Sequence, residues 1–319
     1  MNPESPIPNH DTFLSVKDMT ILITGASGFI GGAIAERFVG RTEVRGLTHH
    51  PRKDRFGGRV ASVAYDFGAP HRMAQAFAGV DVFVNTYYVR FNYGRTTFVR
   101  AVEQSRVLVD LARTCGVRKI VHVSVSNASE SSDLPYYANK ARIERLVHES
   151  GLDYTILRPA IVVGRDDILV NNIAYFLRRL PVFTVFDGGA YRVQPMTLDA
   201  FAGVAVEAVE GAYGGETIAV AGPRDYTFLE LVREIRRAVG SRALIVNAPV
   251  WAAMAGLKVA GWLLRDVVLT RDEVRGLVGE YLYSDRPLRR GGSFGEWLAD
   301  PAAAGLGRQY ASELSRHFR

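Results

Sequence analysis

The chain has a single cysteine, Cys115, in 319 residues, so no disulfide can close within it. A lone thiol suits a reducing compartment, and cytoplasmic residence is expected. Cys115 ends a helical segment just before Gly116 and reads as a buried structural thiol. Histidine is scarce, and only the adjacent pair His49 and His50 suggests a metal. Adjacent side chains rarely converge on one ion and no third ligand is visible, so no metal site is expected. The most apolar run, Val250–Leu264, is too short to cross a bilayer core of about 30 Å, and it contains Lys258. It reads as a buried or groove-lining helix, with an interfacial helix left open because Trp251 and Trp262 flank it. Stable membrane insertion is not expected. The stretch 1–18 lacks the apolar core of a signal peptide, carries Pro3, Pro6 and Pro8, and is expected to be a flexible arm. The net charge of +6 is diffuse. Arg286, Arg289 and Arg290, and the tail Arg308, Arg316, His317 and Arg319, read as solvated surface. No basic stripe interleaved with aromatics occurs, so no nucleic-acid partner is expected.

What the chain does have is glycine in a telling place. Met19-Thr20-Ile21-Leu22-Ile23-Thr24 is an apolar run. Gly25-Ala26-Ser27-Gly28-Phe29-Ile30-Gly31-Gly32 follows it, and Ala33-Ile34-Ala35-Glu36-Arg37-Phe38 continues with helical spacing. Strand, glycine turn and helix start in that order form a dinucleotide phosphate site. Gly25 permits the tight turn, Gly28 lets the backbone approach phosphate, and Gly31 lets helix and strand pack closely. The helix dipole attracts the pyrophosphate.

With 48% hydrophobic and 23% charged residues, a packed core is expected. Strands are predicted at Thr20–Thr24, Glu43–Thr48, Val60–Tyr65, Val80–Asn85, Lys119–Val123 and Tyr154–Leu157. Helices are predicted between them at 29–39, 70–78, 95–115 and 136–149. This alternation predicts an α/β fold with a doubly wound parallel Rossmann sheet and right-handed crossovers. After Pro159 the rhythm changes. A helix is predicted at Ile168–Leu180, short strands near 182–186 and 190–194, and a helix at 198–209. Glu216–Ala221 reads as a strand that returns to the sheet. Helices follow at 227–239, 250–265 and 270–280, the last with a capping box at Thr270–Glu273. The expected organisation is a Rossmann domain over 19–164, with 198–222 returning to it. Segments 165–197 and 223–319 form a smaller, mainly helical substrate lobe.

A second constellation is Tyr136-Tyr137-Ala138-Asn139-Lys140, preceded by Ser124-Val125-Ser126. Tyr136 and Lys140 are spaced to share one helix face. An ammonium beside a phenol stabilises the phenolate, so that Tyr136 can move a proton to or from a substrate oxygen. His122 lies inside a strand and reads as a satisfied core histidine.

These features resemble the short-chain dehydrogenase/reductase superfamily, in its extended and atypical branch. That branch includes the NAD-dependent epimerase/dehydratase group and relatives of the complex I nucleotide-binding accessory subunit. The likeness spans roughly 19–222. It rests on Thr24-Gly25-Ala26-Ser27-Gly28-Phe29-Ile30-Gly31, Asp66, His122-Val123-Ser124-Val125-Ser126, Tyr136 with Lys140, Leu157-Arg158-Pro159 and Tyr191 to Asp199. It implies bound NAD(P) and hydride transfer at a carbonyl or alcohol carbon. By that likeness Tyr136 is the acid/base, Lys140 also grips the nicotinamide ribose, and Ser126 polarises the substrate oxygen. The cofactor set it implies is Gly25, Ser27, Gly28, Phe29, Ile30, Gly31, His49, Asp66, Asn85, Thr86, Lys140 and Pro159. Asp66 would bound the adenine. Two departures stand out. Only about ten residues separate Ser126 from Tyr136, and Asn85-Thr86-Tyr87-Tyr88 replaces the usual small residues after the fourth strand.

The second strand ends in Gly46-Leu47-Thr48-His49-His50-Pro51-Arg52-Lys53, with no acid to take a ribose 2′-hydroxyl. Arg52 and Lys53 could bind a 2′-phosphate, so NADP is favoured over NAD. Tyr87, Tyr88, Asn172, Arg192 and Gln194 are the expected substrate contacts. The pocket should lie between segment 165–199, the Val250–Leu264 helix and Tyr136. Its aromatic lining favours a lipophilic carbonyl substrate. Two readings remain open: an oxidoreductase or epimerase-like enzyme, and a non-catalytic NAD(P)H-binding redox sensor, regulator or assembly factor. A homodimer is also left open.

Overall fold

The computed structural model describes residues 16–49, 51, 55–312 and 314–315. Residues 1–15 of the expected arm, and His50, Arg52 and Lys53, lie outside the described residues. Six short apolar segments form strands: β1 (Thr20–Thr24), β2 (Glu43–Thr48), β3 (Val60–Ala64), β4 (Val82–Asn85), β5 (Lys119–Val123) and β6 (Asp153–Pro159). The central ones, β4 and β5, are buried throughout, as strands covered on both faces are. Between the strands run α1 (Phe29–Phe38), α2 (Pro70–Phe77), α3 (Phe98–Thr114) and α4 (Pro135–His148). Cys115 caps α3 and is half-buried, more exposed than the sequence suggested.

Beyond β6 come β7 (Ile161–Val163), α5 (Ile168–Arg179), β8 (Val182–Phe186), β9 (Arg192–Val193), β10 (Pro195–Thr197), α6 (Leu198–Val209) and β11 (Glu216–Ala221). The chain continues through β12 (Tyr226–Thr227), α7 (Phe228–Ala238), β13 (Leu244–Ala248), α8 (Val250–Leu264), α9 (Arg271–Val278), β14 (Leu288–Arg289) and α10 (Phe294–Ala299).

Eight strands form one parallel sheet in the order β14-β11-β6-β5-β4-β1-β2-β3. β11 extends β6, and β14 adds an edge strand from a segment expected to belong wholly to the second lobe. One face carries α1 and α6, whose Ile34, Phe38, Phe201 and Ala205 pack on Ile21 and Ile23 of β1. The other carries α2 and α3, with Phe77 and Leu108 against Leu22, Phe83 and Ile120. The strand order reverses between β1 and β4, and open α/β sheets bind ligands at that crevice.

A second core joins α5, α7, β8 and β9 through Ile173, Leu177, Val185, Val193, Leu231 and Ile235. Its small sheets pair β8 with β13, β7 with β10 and β9 with β12. The strand expected at 190–194 shrinks to Arg192–Val193, and β7, β10, β12 and β13 were not expected. Strands this short are set by their partners rather than by local pattern. Of the readings left open for α8, the buried helix does not hold: of its residues only Ala253 is buried, while Trp251 and Trp262 face outward. Among the described residues no helix is long and apolar enough to cross a membrane, and no cluster of three metal-binding side chains occurs.

Candidate active site

At the crevice, β1 runs into the glycine loop and α1 starts at Phe29. Gly25 takes φ +64°, a left-handed value that glycine adopts without strain. Its N–H donates to Leu47 O at 2.6 Å, and the Gly28 N–H donates to Gly25 O at 2.7 Å. A Cβ on Gly31 would stand 2.4 Å from Gly25 O and 2.7 Å from Thr24 O, so helix and loop meet where only glycine fits. Gly28 begins α1 with no side-chain cap, and the first turn holds no acid. The leading N–H groups of α1 are therefore open to an anion, and the helix dipole favours one. This cradle fits a dinucleotide pyrophosphate, with Ser27, Phe29 and Ile30 beside it.

Asn85 and Thr86 fasten the loop to β4. The Thr86 N–H donates to Thr24 Oγ1 and its hydroxyl donates to Thr24 O, both at 2.6 Å. Asn85 is buried; its Oδ1 accepts from the Tyr87 N–H at 3.0 Å, and its Nδ2 has no partner among the described residues. His49 follows β2 with its ring 4.7 Å from Tyr65, which stacks on Phe67 and stands edge-on to Tyr87. The Asp66 carboxylate is already engaged. It accepts from the Ala69 N–H at 3.0 Å and from Arg72 at 3.1 Å, so this end of the cleft offers a base aromatic rings instead. Arg52 and Lys53 lie outside the described residues. Arg55 is a described cation at the loop: its Nη1 would lie 2.5 Å from a Cβ on Gly32, and it pairs with Glu36 at 3.3 Å.

Tyr136 and Lys140 sit one turn apart on α4. Lys140 is enclosed. Its Nζ donates to Val123 O at 2.9 Å and lies 4.4 Å from the centre of the Tyr88 ring. Burial pulls its pKa down to about 7, against the opposing charge of Glu144. The Tyr88 ring stands edge-on to Tyr136 at 5.3 Å, and its hydroxyl donates to Tyr136 O at 3.1 Å. His122 is buried with Nδ1 3.2 Å from Asn85 O, and burial holds its pKa well below the ordinary imidazole value.

Tyr136 faces an apolar cavity of about 620 Å³. Its walls include Phe29, Ile30, Phe91, Phe98, Leu134, Tyr137, Pro159, Leu169, Leu269, Leu277 and Leu282. Polar and charged residues line it as well, among them Asn92, Asp166, Asp167, Thr270, Asp272 and the Arg90–Glu273 pair at 2.5 Å. Ser124 lines the cavity too. It is buried, and its Oγ has no hydrogen-bond partner among the described residues.

Several expected contacts lie elsewhere. Ser126 does not line this cavity; its hydroxyl donates to Tyr281 O at 2.6 Å and fastens the 279–283 segment. Tyr87 is buried with its hydroxyl donating to Gln104, and Tyr88 stands behind Tyr136. Asn172 pairs with the backbone of Ala311, donating at 3.0 Å and accepting at 2.9 Å. Gln194 does the same to Ser284, at 2.8 and 2.9 Å, and also reaches Asp225. Both amides stand in for peptide groups in these pairings. Arg192 pairs with Glu280 and lies over the Tyr283 ring, on a separate polar cavity of about 710 Å³. The wall expected from α8 is supplied by the segment after it, through Leu269 and Thr270.

The Asn172 contact is one of a row. Arg178 donates to Leu306 O at 2.8 Å, Arg179 donates to Gly307 O and Arg308 O, and Asn171 holds Gly307 N and Gln309 O. Segment 306–311 thus runs along α5, whose first turn lines the apolar cavity. Among the groups the sequence reading missed, Ser124 had a signal, being the first serine after β5. Arg55 stood in the same basic turn as Arg52 and Lys53. Phe98 and the Arg90–Glu273 pair carried none, since each acts across a long stretch of chain.

Residues 25–171, just under half of the chain, match a family described as NAD(P)H-binding. The Arabidopsis thaliana mitochondrial NADH dehydrogenase [ubiquinone] 1 alpha subcomplex subunit 9 is 23% identical over 296 residues, covering 86% of this chain and 73% of that protein. An uncharacterized Mycobacterium tuberculosis protein is 28% identical over 261 residues, covering 80% of this chain but only 28% of the longer relative. The Escherichia coli NADPH-dependent quinone oxidoreductase, solved with NADPH, superposes with a TM-score of 0.70 at 20% identity, over 88% of this chain and 99% of that one. Residues 25–171 thus carry an NAD(P)H-binding domain, and the chain as a whole is similar to the complex I subunit.

Proposed function

We propose that the protein is an NADPH-dependent reductase of a lipophilic aromatic carbonyl compound. The observation that carries this reading is the apolar cavity, lined by Tyr136 and by buried Ser124, whose hydroxyl has no partner among the described residues. The mostly aromatic and aliphatic part of its wall desolvates an apolar ring. The glycine cradle, with Asn85, Thr86 and Pro159, would hold the cofactor, which when bound supplies a hydride to the carbonyl carbon. Ser124 donates a hydrogen bond to the carbonyl oxygen as charge builds there. Tyr136 passes its proton to that oxygen. Lys140, whose pKa lies near neutrality, stabilises the phenolate that remains. Arg55, with Arg52 and Lys53, favours the 2′-phosphate of NADPH.

A second reading is a cofactor-binding subunit or sensor without turnover. It draws on Tyr88 lying over Lys140, on Ser126 being held by Tyr281, and on the likeness to a respiratory subunit. The two separate in one experiment. NADPH binding is measured by calorimetry, and oxidation by absorbance against a panel of quinones and aromatic aldehydes. The reductase reading expects turnover that falls on the order of 10²–10⁴-fold in Tyr136→Phe, with NADPH affinity held within a few-fold. Binding without turnover across the panel supports the second reading. Turnover unaffected by Tyr136→Phe removes the assigned acid.

A further inference from the structure

α8 leaves its largest apolar side chains in water. Trp251 is 76% exposed and Trp262 78%, and Val259 and Leu263 are exposed beside them. At 3.6 residues per turn, Trp251, Lys258, Val259 and Trp262 project within roughly 100° of arc, with Leu263 at its margin. The opposite side carries Ala253 into the second core, so the helix is anchored and its apolar face points away from the protein. Exposed apolar residues scattered singly are ordinary, but two tryptophans aligned on one helix face are not.

We propose that α8 docks the protein on an anionic lipid surface, lying in the plane of the interface. The proposal goes beyond the reductase reading and does not rest on it. Three observations select this occupant. First, the helix of about 22 Å is too short to span a hydrocarbon core of about 30 Å, so its apolar face can only lie along the boundary. Second, tryptophan suits that boundary, where a large ring meets hydrocarbon while its N–H stays hydrated. Third, residues 244–265 contain no aspartate or glutamate, whereas Lys258 and Arg265 are both exposed and basic. Basic residues around a buried apolar stripe match anionic headgroups. The same charges disfavour a second copy of the chain. A two-fold contact centred on this face would set Lys258 near its own image, with no acid on the helix to offset it.

The test is flotation of the full-length protein with vesicles of phosphatidylcholine alone or mixed with phosphatidylglycerol. The wild type should float with the mixed vesicles, less with phosphatidylcholine alone, and less again in high salt. Trp251→Ser with Trp262→Ser should lower the bound fraction about tenfold or more. Lys258→Glu with Arg265→Glu should lower it on the mixed vesicles only. All four positions are exposed, and unchanged melting temperatures and NADPH binding would establish that the variants fold. Wild-type protein that stays at the bottom with mixed vesicles overturns the proposal, as does a tryptophan variant that floats like the wild type. A dimer in sedimentation that the tryptophan variant dissolves, with no vesicle binding, assigns the face to a second copy instead.

Discussion

Replacing Lys140 by methionine tests the most unusual group in the site. Its ammonium is enclosed, with Val123 O and the Tyr88 ring against it, and its pKa falls from 10.5 to about 7 despite the charge of Glu144. Each tenfold loss of proton affinity corresponds to about 1.4 kcal/mol, so the charged form is disfavoured in the native state by roughly 5 kcal/mol. The direction with pH follows from which state holds the proton. Below pH 7 native and unfolded lysines are both charged, and the full penalty stands. Between pH 7 and 10.5 the native lysine has released its proton while the unfolded one keeps it, so stability rises with pH. From pH 6 to pH 9 the wild type should therefore gain roughly 2–3 kcal/mol that Lys140→Met does not. At about 2 °C per kcal/mol for a chain of this size, the melting temperature of the wild type minus that of the variant should rise by about 5 °C. Calorimetry without cofactor at the two pH values measures it, and comparing the two proteins cancels groups that titrate alike in both. A difference that does not change with pH would falsify the claim that Lys140 is held near neutrality.

Other consequences are equally direct. Ser124→Ala should reduce turnover about a hundredfold, a larger loss than in Ser126→Ala, whose effect should fall on proteolytic sensitivity of the 279–283 segment; steady-state rates and limited digestion report the two. Gly31→Ala should drive a methyl group into Gly25 O, destabilise the fold by about 1–3 kcal/mol and weaken NADPH at least tenfold, as read by melting and calorimetry. Arg55→Ala should cut the preference for NADPH over NADH by roughly tenfold, and an unchanged ratio of the two affinities would exclude Arg55 from the phosphate site.

The parts of this site that sequence reveals are those built from neighbours in the chain. Gly25, Gly28 and Gly31 are legible because the steric demand and the turn that makes it lie within eight residues. The spacing of Tyr136 and Lys140 is a property of one helix. The substrate contacts were not legible, and Gln194 shows why. A buried amide, here in the link between β9 and β10, looks the same whether it awaits a ligand or a peptide group, and its partner Ser284 lies 90 residues away. Asn172 and Ala311 are 139 apart. Ser126 was drawn off by Tyr281 in the same fashion, 155 residues on. α8 stayed ambiguous between a buried and an interfacial helix, because apolar composition reports an affinity for apolar surroundings and not whether the protein itself supplies them.

The strap of 306–311 along α5 has a bearing on how the site comes into being. The glycine cradle and the strands that support it are made early in synthesis, and their contacts are mostly local or from neighbouring strands. The wall of the apolar cavity is completed from later in the chain, since Leu269, Leu277 and Leu282 line it and residues 306–311 brace α5. The residues of the nucleotide cradle are therefore synthesised well before those that close the substrate chamber. Nicotinamide cofactor bound in that interval would act as a folding ligand, holding the first half in register while the second is still being made.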